Sequence, residues 1–254
     1  MEVVYMICFF IIGTMLGSFY NVVGYRIPKG NSIVKPGSHC DHCGHSLKAR
    51  DLIPVLSYCL QRGKCRYCHQ KISPMDPIIE LSTGLLFMIA YYSFGFSVSL
   101  LIALAIISLF MIVIVSDLNF LIIPDEVVLV FSILLIVLQF IQLGPLDALL
   151  HIASGVFTFA VMYGLMRLGN QMFQKESLGG GDVKLMFIVG LVLGPVLGLF
   201  NIFLSSFLAL PVSIVLFLRK KENVIPFGPF ILLAMVLLYL MKIDPLFLEA
   251  LLNF

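Results

Sequence analysis

Eight apolar runs follow one another along this chain, and they constrain its fold more than any other feature. They are Val3–Tyr25, Pro77–Phe94, Val98–Ser116, Val127–Leu143, Leu146–Leu168, Val183–Gly194, Val196–Leu218 and Gly228–Met241. A helix needs about 20 apolar residues to cross a hydrocarbon core of about 30 Å, and most of these runs approach that length. In lipid a backbone must satisfy its own hydrogen bonds, which leaves helices or a closed barrel. Barrel strands alternate apolar and polar residues over about ten positions; these runs do not alternate. Of the 254 residues, 60% are apolar and 12% charged. A soluble domain has about 45–50% and about 25%. With mean hydropathy at +1.07, a soluble globular domain, a disordered chain, a coiled coil and a disulfide-rich secreted scaffold are all excluded. The expected fold is all-α and polytopic, with about eight transmembrane helices. No internal repeat or low-complexity tract is visible.

Charge placement orients the helices. The N-terminus lacks the basic segment of a secretory signal, since Glu2 is its only early charge and Arg26 its first cation. The first run therefore reads as a retained span with its N-terminus outside. Nine of the 16 Lys and Arg residues lie between Arg26 and Lys71. Arg167, Lys175 and Lys184 flank the connection between runs five and six, and Arg219, Lys220 and Lys221 follow run seven. With eight spans all of these fall on one side and only Lys242 on the other. By the positive-inside rule that side is the cytoplasm. Both termini are then outside, in a multi-pass protein of the inner or plasma membrane.

The one sizeable segment outside the membrane is Arg26–Asp76. It holds five of the six cysteines and four of the five histidines. Cys40 and Cys43 form one C-x2-C pair, Cys65 and Cys68 another, with 21 residues between them. Two such knuckles complete a tetrahedral four-cysteine zinc site, closed and structural. The loop is too small and polar for a core of its own, so a metal would supply its folding energy. Two disulfides are the alternative, which a reducing cytoplasm disfavours. His39, His42, His45 and His69 read as solvated neighbours, and Cys8 and Cys59 as small apolar residues. A zinc ribbon can bind nucleic acid, but a surface beside anionic lipid explains the loop's basic residues equally well; no nucleic-acid partner is expected.

Three carboxylates sit beside apolar runs on the cytoplasmic side. Asp117 ends run three, Asp125 follows Pro124 at the start of run four, and Asp182 follows Gly179, Gly180 and Gly181. Ionisable residues at membrane depth are costly and mark functional sites by default. Asp125 reads as a helix N-cap, and Asp182 can be read so too. Asp117 resists that reading, because a helix C-terminus repels a carboxylate. From Asp182 to Gly194 there are 13 residues, about 20 Å of helix. Either this helix runs past Pro195 or the glycine loop dips into the membrane, where three glycines would let another backbone approach closely. Two carboxylates in one partly dry cavity suit aspartic hydrolysis, one activating a water and its protonated partner donating to the scissile carbonyl. The helix dipoles would make Asp182 the base and Asp117 the acid. His151, alone in run five, reads as a satisfied helix contact.

These residues resemble the prepilin peptidases, or type 4 leader peptidases. Gly179-Gly180-Gly181-Asp182-Val183-Lys184 fits the GxGD motif of intramembrane aspartic peptidases. Gly17-Ser18-Phe19, with Asn21, Arg26 and Pro28, is similar to the family's N-terminal signature. Ile53-Pro54 through Ser57-Tyr58, with Arg62 to Cys68, resembles its zinc loop, and Glu80-Leu81 to Gly84 the start of its second span. Asp117 to Asp125 matches its first catalytic segment, while the last two runs match only in hydropathy. The resemblance implies an enzyme that cuts the short basic leader from prepilins and pseudopilins after a glycine, serving pilus assembly, secretion or competence. Asp117 and Asp182 match the catalytic aspartates, and Gly179, Gly180, Gly181 and Lys184 support them. Glu80 and Asp125 are candidates for contacting the leader. It also implies methylation of the new N-terminus with S-adenosylmethionine, although no glycine-rich fingerprint for that donor is present.

The expected organisation is a first transmembrane helix (residues 1–25), the zinc loop where methyl transfer would reside (26–76), and a seven-helix peptidase core (77–254). Two rivals are a proton-coupled transporter or channel using the aspartate pair, and a non-catalytic zinc-ribbon adaptor. Transporters usually carry repeats and mid-bilayer polar groups; an adaptor would not need the GxGD loop.

Overall fold

The computed structural model describes residues 1–40, 42–174, 178–218 and 226–243. Lys175, Arg219, Lys220, Lys221 and the C-terminal end, which enter the topology argument, lie outside the described residues. The elements are α1 (Glu2–Arg26), a one-turn α2 (Leu56–Leu60), α3 (Met75–Phe94), α4 (Val98–Phe120), α5 (Asp125–Leu143), α6 (Pro145–Phe173), α7 (Gly180–Leu218) and α8 (Gly228–Leu240). Among the described residues, six helices are long and apolar enough to cross a membrane, and α8 is a shorter apolar one. Strand-like pairing among the described residues is limited to two isolated bridges. The chain forms two compact units, Met1–Gly95 and Phe96–Phe254.

The first unit is built on α1 against α3. Within a bilayer, helices associate through close packing at small residues. A Cβ on Gly13 would lie 2.8 Å from the Gly84 Cα, and one on Gly17 would lie 2.8 Å from the Glu80 Cα. Gly13-x3-Gly17 thus lets the α1 backbone touch α3. The neighbouring hydroxyls are satisfied locally, Thr14 donating to the Ile11 carbonyl and Thr83 to the Ile79 carbonyl.

In the second unit α4 is apolar all round and correspondingly the most enclosed of the candidate spans, 72% buried. Ser97 caps it, accepting from the Leu100 N–H at 3.2 Å. At its other end Leu121 takes a left-handed conformation, φ 54°, and turns the chain toward Pro124 and α5.

Helix α7 spans 39 residues but is not straight. Gly194 has φ 78° and ψ −178°, and a Cβ on Gly198 would lie 3.4 Å from the Gly190 Cα. Eight residues of straight helix cover about 12 Å, so the chain reverses at Gly194-Pro195. Apolar runs six and seven are the two arms of this hairpin, residues 180–193 and 195–218. The helix therefore does not continue straight past Pro195, and among the described residues eight apolar helical arms result. Pro195 has no N–H for the Leu191 carbonyl. Gln139 Nε2 of α5 and His151 Nδ1 of α6 donate to that oxygen instead, at 3.0 and 2.9 Å. His151 is the satisfied helix contact expected of it. Thr158 of α6 meets both arms: its hydroxyl donates to the Met186 carbonyl at 2.7 Å, and it packs on Gly190 and Gly198.

Candidate metal centre and active site

In the loop of the first unit, the Sγ atoms of Cys40, Cys43, Cys65 and Cys68 all lie within 4.8 Å of one another. Cys40 and Cys68 are 3.8 Å apart. Four thiolates about 2.3 Å from a central zinc would be about 3.8 Å apart, so the residues fit that ion. The two knuckles share one backbone plan. The Cys40 N–H donates to the His45 carbonyl and the Cys65 N–H to the Gln70 carbonyl. The Gly44 and His69 amides return to the Cys40 and Cys65 carbonyls. Gly44 and His69 both have left-handed φ, 68° and 58°. The bridges His39–Ser46 and Lys64–Lys71 close each knuckle at the same offset. This is an internal repeat that the sequence reading missed, because outside the cysteines its shared content is backbone conformation.

Asp51, also missed, ties the knuckles to the rest of the loop. Its carboxylate accepts from the Lys48 N–H and Tyr67 hydroxyl, each at 3.2 Å, and pairs with Arg66 Nε at 2.9 Å. Tyr67 in turn packs on the His45 ring of the other knuckle. Burial works against the Asp51 charge, but these partners outweigh it and hold the carboxyl below its usual range. Its contribution is thus complete above the ordinary carboxylate range and lost as pH falls through the lowered value.

Glu80 of α3 is 8% exposed and belongs to this unit. It accepts from the Val55 N–H at 2.7 Å and from the Ser18 hydroxyl. Val55 has φ 61°, an uncommon conformation for a β-branched residue. Glu80 fastens the loop between α2 and the preceding turn onto the α1–α3 pair.

The second unit brings Asp117 and Asp182 together. Asp117 stands one turn before the end of α4 and Asp182 in the first turn of α7; they are 5% and 8% exposed. Gly228, the first residue of α8, lies against both. A Cβ there would be 3.2 Å from Asp117 Oδ2 and 3.3 Å from Asp182 Oδ1. Those oxygens are therefore no more than about 6.5 Å apart, the sum of the two distances. The Gly228 amide donates to the Asp117 carboxylate.

Both carboxylates open onto a cavity of about 1190 Å³, lined by Gly179, Gly180 and Gly181, by Met162 and Leu165 of α6, and by the second arm of α7. Ile202, Ser206, Ala209 and Ser213 of that arm share the cavity with Asp182 because the hairpin folds them back beside it.

The glycine loop does admit a close neighbour, but it is a side chain and not a backbone. Ile123 wedges in so that a Cβ on Gly181 would lie 2.8 Å from the Ile123 Cβ. Asp125 requires a second correction: Pro124 occupies the N-cap, and Asp125 is the first helical residue, with no capping bond. Its carboxylate instead pairs with Lys184 Nζ at 2.6 Å, on an exposed rim of the cavity. That pair joins the α4–α5 turn to the first turn of α7. A third concerns the dipoles. Asp117 does end one helix, but it also receives the first amide of another, which removes the asymmetry used to assign base and acid. Gly228 itself was invisible in sequence, since its run was matched only by hydropathy.

A carboxylate pair under a Gly-Gly-Gly-Asp loop, carried by apolar helices, defines the GxGD class of membrane aspartic peptidase. Residues 11–94 match the bacterial peptidase A24 N-terminal domain, and residues 103–214 match the type IV leader peptidase family; the chain belongs to that family. It is 37% identical over 239 residues to a Bacillus subtilis protein named prepilin leader peptidase/N-methyltransferase, covering 91% of this chain and 92% of the relative. A Vibrio cholerae protein of the same name is 31% identical, with 94% and 98% covered. A Pseudomonas putida relative, also so named, is 31% identical over 88% and 86%. No solved structure matches the chain. The apolar spans and the family place it in the inner membrane.

Proposed function

We propose that this chain removes the short basic leader of type IV prepilins or pseudopilins and methylates the N-terminus so exposed. The convergence of Asp117 and Asp182 on one cavity carries the proteolytic half of this reading. In the ground state one carboxylate is ionised and withdraws a proton from water. The other is protonated and donates to the peptide carbonyl as the water adds; the proton taken from water then goes to the leaving amine. The two behave as a titrating pair, with one proton shared between them. Gly179, Gly180, Gly181 and Lys184 shape the loop that delivers Asp182, and Asp125 stands where a basic leader would pass the cavity rim.

Zinc fits the four cysteines, and its role there is to order the loop, not to react. The relatives are named N-methyltransferases; S-adenosylmethionine fits that activity as methyl donor, with residues 26–76 as its region. The cysteine loop and the aspartates face the cytoplasm, with the N-terminus outside, as the distribution of Lys and Arg favours. Co-expression with a candidate prepilin, followed by mass determination of the product's N-terminus, tests the reading. Cleavage after the leader glycine with one added methyl group is expected. An uncut prepilin in a host without its own peptidase would refute it.

A further inference from the structure

Gly228 carries no chemistry of its own, yet it lies against both acidic side chains. Its φ is not in the left-handed region, so no positive-φ strain bars a side chain there. What the site demands of position 228 is space. A methyl group there would meet Ile123 Cδ1 at 2.7 Å, Asp117 Oδ2 at 3.2 Å and Asp182 Oδ1 at 3.3 Å. The first is the far end of a flexible side chain and can yield. The carboxylates are the reacting groups under the functional reading given above, on which this inference rests. Pro229 follows immediately and fixes the start of α8. The first amide of the helix is thereby presented to Asp117.

We infer that Gly228 is a positioning residue for the reaction: the start of α8 packs against both carboxylates, its amide holding Asp117 and its missing side chain leaving them room to approach each other. A carboxylate pair shares one proton and one water only at a short, fixed spacing. A Cβ at 3.2 and 3.3 Å forces the carboxylates to give way, which disturbs both the shared proton and the seat for the attacking water. Gly228 acts through the aspartates and not on the substrate.

The test uses the full-length protein and a prepilin substrate, with wild type, G228A, I123A, G228A/I123A and D117N. Wild-type cleavage and its loss in D117N establish the functional reading; a silent wild type or an active D117N overturns that reading and this inference with it. With those controls in place, G228A is expected to lower kcat at least 100-fold with KM changed less than threefold. The pH profile of its residual activity should be displaced from that of wild type. I123A makes room for the new methyl group and guards against misfolding, which thermal unfolding monitors. The double variant should fold as stably as I123A and remain at least 100-fold less active than I123A. Recovery of the double variant to the I123A level would mean that glycine is needed only to clear Ile123, and would overturn the inference. Near-wild-type cleavage by G228A alone would do the same.

Discussion

At the scale of single residues the site depends on where two carboxylates are placed relative to backbone. Asp117 and Asp182 lie on helices whose ends point at one cavity, and each is enclosed by protein. Positioned acid–base groups contribute about 10²–10⁴-fold to a rate. D117N and D182N should therefore each lose at least about a hundredfold in prepilin cleavage while remaining folded and inserted. Near-normal turnover by either would remove the pair from the mechanism. Cleavage by wild type should follow a bell-shaped pH profile that reports the pair as a unit; a monotonic profile would exclude a shared proton. D125N should retain far more activity, because Asp125 meets Lys184 on an exposed rim, where ion pairs contribute little. Measuring the three Asn variants side by side separates the two carboxylates proposed to react from the one paired with Lys184 on the rim. Both aspartates stood out in the sequence because a carboxylate beside an apolar run is costly. Gly228 did not, because what matters there is an absent side chain and a backbone amide, neither of which leaves a pattern.

Among the elements, the cysteine loop and the α7 hairpin are the two that the chain could not build from apolar packing alone. The loop's two knuckles match in hydrogen bonding and in left-handed turns, so each presents two thiolates in the same way. Purified protein is expected to carry one zinc per chain. Replacing Cys40 and Cys65 together should abolish zinc binding and make residues 26–76 protease-sensitive; full zinc content in that variant would exclude the site. The cysteine spacing made this legible in advance. The hairpin was half legible. The short run before Pro195 signalled a break, but its rescue by Gln139 and His151 is a tertiary event between helices far apart in sequence. Leaving a buried acceptor unpaired costs about 1–3 kcal/mol. H151L or Q139L alone leaves the Leu191 carbonyl one donor and should shift thermal unfolding little. The double variant should lose more than the sum of the two, about 1 kcal/mol or more. Simple additivity would show that the carbonyl does not need them.

On the scale of the whole molecule, apolar content and charge placement together determine that the chain is a helical membrane protein, and the eight apolar runs reappear as eight helical arms among the described residues. Contacts between helices were not legible, since lipid-facing and protein-facing surfaces are equally apolar. Only small residues such as Gly13, Gly17, Gly190 and Gly198 mark where helices touch. The two proposed activities fall in different compact units, so they should be separable by mutation. With S-adenosylmethionine supplied, the Cys40/Cys65 variant should still cut prepilin but leave its new N-terminus unmethylated, as read by product mass. Loss of cleavage in parallel with methylation would argue that the units are not independent. The proline turn of α7 also bears on the order in which its partners are made. The oxygen freed at Leu191 is satisfied by Gln139 and His151, which leave the ribosome before α7 does. By the time the hairpin reaches the translocon, both donors have already been synthesised. Moving α5 and α6 downstream of α7 by circular permutation would have the hairpin made before either of its donors. The present gene order spares the nascent chain that state.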